Sequence, residues 1–146
     1  MKTIQKKPAG IAAVLAVCIT LFSFSSKWGG EGFEIYLNNK LVMQQFGKDM
    51  DNVRSLQLDA NYYNSQLSVK YYHCGKMGTN RRISVRDQHN NLLKEWQFVN
   101  SSDVAMNCPV NEIMSLQKEK NKSLNLFYSS TELAKERLLV TITKTN

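Results

Sequence analysis

The residues with the most chemistry to offer stand together at His73-Cys74-Gly75-Lys76-Met77. Imidazole beside soft sulfur suits copper, and a thiol next to a base is the start of a nucleophile. Strand geometry resists both uses. Neighbours on a strand point to opposite faces, so His73 and Cys74 share a target only if the strand ends between them, which Gly75 permits. The other histidine, His89, falls in a stretch that reads as a hairpin tip. A thiol, redox or copper site at Cys74 with His73 is kept as an alternative, and no cofactor is expected. The chain has no Gly-x-Ser-x-Gly, phosphate-loop or zinc-protease motif. The nearest acidic cluster, Asp49, Asp51 and Asp59, has Lys48 and Arg54 set among it and lacks the alternate spacing of a calcium loop. No catalytic residue is assigned, and the balance is against an enzyme.

Aromatic residues give the one positive hint of binding. Tyr62-Tyr63, Tyr71-Tyr72 and Trp96 could form a stacking face for a sugar or a peptide. On any strand one of two adjacent tyrosines must face outward, so Lys70, Tyr72 and His73 make a candidate binding patch. Cross-strand pairing on a sheet surface explains the same tyrosines without a ligand.

The chain holds three cysteines. Loss of Cys18 with an export signal would leave Cys74 and Cys108, an even pair that suggests a disulfide in an exported protein. Such a bond would close 34 residues and contribute about 3 to 4 kcal/mol. The opposite outcome is also open, because bonding needs Cα atoms within about 7 Å.

The elements that must position these residues begin after an address. Lys2, Lys6 and Lys7 precede an apolar run from Ile11 to Phe22, and small residues follow at Ser23, Ser25 and Ser26. That order predicts a signal peptide over residues 1–26, hence a periplasmic or extracellular protein. An uncleaved membrane anchor, or a lipoprotein modified at Cys18, is the lesser reading. Removing the three lysines lowers the formal charge from +7 to +4. Dense basic points are few, Arg81-Arg82 and the Lys118 to Lys122 stretch, so no nucleic-acid partner is expected. With 146 residues, 42% of them hydrophobic and only 2 Pro, the chain is neither disordered nor collagen-like and has room for one domain.

Residues 27–32 read as a flexible lead, and a single domain is expected over residues 33–146. Period-two alternation dominates there. Phe33, Ile35 and Leu37 share a face, and Asn38-Asn39 is a turn pair leading into Lys40 to Phe46. Further strands are expected at 55–59, 66–73, 82–87, 92–98, 123–129 and 137–143. One short helical turn near 109–117 follows Pro109. About seven or eight short strands without a long helix predict an all-β, antiparallel sandwich, with the immunoglobulin-like arrangement as the leading form.

The runs from Phe33 to Val42, Tyr72 to Lys76, Leu93 to Trp96, Tyr128 to Ser130 and Arg137 to Leu139 resemble small exported proteins of Bacteroidetes. The resemblance covers nearly the whole domain. It implies an envelope or secreted location, with no activity and no functional residue to carry over. The expected function is a non-catalytic binding or interaction module of the bacterial envelope, with an envelope protein or glycan as partner. A structural assembly component is the other alternative, and a membrane is expected only through the N-terminal segment if it stays.

Overall fold

Residues 30–119 and 122–145 are described by a computed structural model. The expected signal peptide lies outside the described residues. The described residues form nine strands, in chain order β1 (Glu31–Leu37), β2 (Lys40–Phe46), β3 (Arg54–Leu58), β4 (Gln66–His73), β5 (Arg81–Arg86), β6 (Leu92–Phe98), β7 (Met106–Pro109), β8 (Leu124–Ser129) and β9 (Arg137–Lys144). Among the described residues one α-helix, α1 (Val110–Leu116), follows β7 directly.

The strands make two sheets. Sheet 1 runs in the order β2-β1-β4-β7 and sheet 2 in the order β3-β9-β8-β5-β6. Alternation turns Phe33, Ile35, Leu67, Val69 and Tyr71 of sheet 1 inward. They meet Ile83, Val85, Leu126, Tyr128, Val140 and Ile142 of sheet 2 in one buried cluster. The sandwich expected from the pattern is the fold.

Several details differ from the expectation. The β3–β9 pair is parallel, with Leu56 opposite Ile142, while every other pair is antiparallel. The strand order also departs from the immunoglobulin arrangement, in which the first, second, fourth and fifth strands share a sheet; here β5 lies in the other sheet and β7 stands beside β4. The supposed lead is shorter, because β1 already starts at Glu31. Gly32 belongs to that strand for a steric reason: the ring of Phe46 lies across it, and a Cβ there would come within 1.9 Å of the ring. Strand β7 was not expected at all. Four residues ending in proline carry too little alternation to register, and proline suits only an edge strand.

Turn chemistry follows the sequence more closely. Asn38 and Asn39 take positive φ (48° and 65°), which gives the two-residue turn its twist. Asp87 closes the β5–β6 loop by accepting from the backbone N–H groups of His89 and Asn91, both at 2.9 Å.

Candidate functional site

The outward-facing side chains of sheet 1 fall into rows fixed by strand register. Gly32 stands between Phe46 and Tyr72, and Glu34 stands between Gln44 and Lys70. With no side chain on Gly32, the rings of Phe46 and Tyr72 close over the backbone, their centroids 5.8 Å apart. Aromatic cover of a strand glycine recovers some of the packing that the glycine gives up. One strand position along, the Lys70 ammonium sits 5.5 Å from the centre of the Tyr36 ring.

Glu34 is the hub of this platform. Its carboxylate accepts from the Tyr36 hydroxyl at 2.6 Å, the Tyr72 hydroxyl at 2.9 Å and the Gln44 amide at 3.1 Å. All three donors are uncharged. The bond to Glu34, helped by burial, pushes the Tyr36 phenol up to about 12. Burial and then the same carboxylate raise Tyr72 to about 12, with a smaller contribution from Asp103 in the β6–β7 loop. Both phenols are therefore protonated donors at any physiological pH.

That loop is pinned from beneath. Arg81 is 1% exposed, and it donates from Nε to the Val99 carbonyl at 2.8 Å and from Nη1 to the Val104 carbonyl at 2.9 Å. Gly78 and Ser101 exchange backbone bonds at 3.0 Å beside it.

Of the sequence-derived patch, Lys70 and Tyr72 belong to the platform and His73 does not. His73 points inward, 8% exposed, with Nε2 2.8 Å from the Tyr128 hydroxyl across the sandwich. Tyr71 also points inward and stacks on Tyr128 with centroids 4.1 Å apart. Its hydroxyl donates to Glu31, which also meets Arg137 at 3.4 Å. Burial lowers the His73 pKa, and the Arg81 guanidinium adds to that, against the raising effect of Glu132 and Glu31.

The disulfide expected as one outcome does not form; both cysteines are free. Register gives the reason. Cys108 in β7 lies opposite Leu67, whereas Cys74 follows the far end of β4, seven residues further on and so about 20 Å away. Cys74 is exposed on a left-handed turn (φ 54°), while Cys108 is buried in the core. Cys74 and His73 thus look in different directions, one to solvent and one to Tyr128. Among the described residues no three His, Cys, Asp or Glu side chains converge as a metal would need.

The remaining candidates have structural partners. Trp96 packs against the core with the Lys94 ammonium 5.7 Å from its ring centre, Tyr62 also packs on the core, and Tyr63 stands alone in solvent. Asp49 pairs with Arg54 at 2.9 Å, and Asp59 accepts from the Asn61 N–H at the start of a 3₁₀ turn. An open depression of about 580 Å³ lies beside Glu31, Asp51, Val53 and Arg137. Most of its charged groups are paired, Arg137 with Glu31 and with Asp51 at 3.8 Å, and Glu136 with Arg86 outside it at 2.7 Å.

Sequence reasoning missed Glu34, Tyr36, Gln44 and Phe46 as members of the site. The Asn38-Asn39 turn alone would set Met43 opposite Glu34; a bulge between Ile35 and Tyr36 passes over Val42 and shifts the register by one, which brings Gln44 beside Glu34 and Phe46 beside Gly32. No protein-family model and no curated protein matches the chain.

Proposed function

We propose that this domain is a non-catalytic binding module of the bacterial envelope, working through the outer face of β1, β2 and β4. The observation that carries the reading is the platform itself. Three rings and a carboxylate held by neutral donors share one sheet face, whereas the residues with catalytic potential are separated or buried. A few convergent polar groups among aromatic surfaces are what fixes a ligand's orientation. The envelope location rests on the basic and apolar pattern of residues 1–26 and on the resemblance to exported proteins.

Sedimentation with isolated envelopes of the producing bacterium tests this. Wild-type protein is expected in the pellet. A Phe46→Ser/Tyr72→Ser double variant is expected to be retained about fivefold less, the loss of one or two anchoring rings. Equal retention of a folded double variant would remove the platform from the function.

A further inference from the structure

We infer that the ligand of this platform is an uncharged oligosaccharide. The inference rests on the binding reading above and goes further by naming the chemical class.

Charge is the first argument. Glu34 and Lys70 cancel, and each is held by a neutral group, Glu34 by two phenols and an amide, Lys70 by the Tyr36 ring. With those two charges offset, Asp103 near Tyr72 tips the face to a negative sign, which repels ligand carboxylates and phosphates. Glu34 still has lone pairs to accept from hydroxyls, since two oxygens offer about four acceptor positions and three are used.

Shape and chemistry are the second argument. The Phe46 and Tyr72 rings are tilted 32° to one another and together cover Gly32. The C–H face of a pyranose packs on such rings, while its equatorial hydroxyls reach Glu34, Gln44 and Lys70 at the ring margin.

Position is the third. An extended peptide would pair through its backbone with a free sheet edge. The platform's centre lies instead on β1 and β4, which are interior strands of sheet 1. Its polar atoms all come from side chains, and the main chain of β1 and β4 beneath Glu34, Lys70 and Tyr72 has a strand on both sides.

Amide shift titration of the full-length chain decides the matter, with cellohexaose and chitohexaose as neutral probes. Hexagalacturonate is the anionic probe and a proline decamer the peptide probe. At least one neutral sugar is expected to saturate, shifting Gly32, Glu34, Phe46, Lys70 and Tyr72. Hexagalacturonate should bind about tenfold more weakly, as should the neutral sugar to Tyr72→Ser. Glu34→Gln, which keeps the size and the fold, should weaken the sugar and relieve the discrimination against hexagalacturonate. Shifts at the platform with the proline decamer alone, or equal affinity for both kinds of sugar, would overturn the assignment. If envelope retention still depends on Tyr72 while no sugar binds, the sugar assignment fails and the binding reading stands. If retention ignores Tyr72, the binding reading fails.

Discussion

Gly32, by having no side chain, and Arg81, by its buried guanidinium, each set local geometry that their neighbours depend on. A methyl group at Gly32 would strike the Phe46 ring, so Gly32→Ala should destabilise the domain by about 1 to 3 kcal/mol in urea unfolding. Because the clash is with one ring, a Gly32→Ala/Phe46→Ala double variant should lose less than the sum of the two single changes. Arg81 is buried with two loop carbonyls to serve, while its third nitrogen, Nη2, lacks a partner. Arg81→Ala should cost about 3 kcal/mol, and Arg81→Met, which refills the space without restoring the bonds, should recover part of it. Recovery to full wild-type stability would show that the two hydrogen bonds contribute nothing. The pattern of residues revealed some of this scale. Strand parity put Tyr72 outward and, applied one residue further, already separates His73 from it. The inward partner of His73 was not legible, because Tyr128 is 55 residues away and the contact crosses between sheets.

Strands with clear alternation were legible as elements; their neighbours were not. Strand β4 runs over the residues the pattern expects, Gln66–His73, and so does β6, Leu92–Phe98. Nothing local marks β9 as the partner of β3, because a parallel pair arises from the path of the whole chain. Strand β6 has a free edge, and its Lys94 faces the interior side, where it reaches Glu112 of α1 at 3.2 Å. An inward-pointing charge on an edge strand discourages pairing with another chain. Lys94→Val should therefore raise the tendency to self-associate, seen as a concentration-dependent shift in sedimentation velocity that wild-type protein lacks. An unchanged sedimentation profile would assign the blunting of that edge to something other than Lys94. At the interior strand, Ile142→Ala should cost about 2 to 5 kcal/mol, since Ile142 is buried between β3 and β8.

Acid acts on the molecule as a whole through two groups at one end of the sandwich. His73 packs against the stacked pair of Tyr71 and Tyr128, with Glu31, Glu132 and Arg81 as the charged groups around it. Its folded pKa lies below the unfolded value of 6.5, so the unfolded chain binds the proton more readily. Stability is then full above about pH 6.5 and falls as the pH drops towards the folded pKa. Glu132 adds a second, lower window. Burial alone would raise its carboxyl, but hydrogen bonds from the Thr79 hydroxyl and N–H hold it at about 2. The stability it lends is present above its ordinary value of 4.5 and is lost as the pH falls towards 2. The melting temperature should decline in both windows. His73→Phe should flatten the decline between pH 7 and 5 and leave the lower one in place. An unaltered slope between pH 7 and 5 would acquit His73.

The unequal placement of the two domain thiols turns the protein into its own stopwatch. Burial, reinforced by Glu112, pushes Cys108 up to about 12, so it resists alkylation for as long as the core stays shut. Cys74 stands open to reagent from the start. Iodoacetamide should add one carbamidomethyl group to the domain promptly, and a second only as often as the sandwich comes apart. Mass spectra taken over time would then read the population of the open core where reclosing outruns alkylation, and the opening rate where the reagent is fast enough to trap every opening, with no dye and no engineered probe.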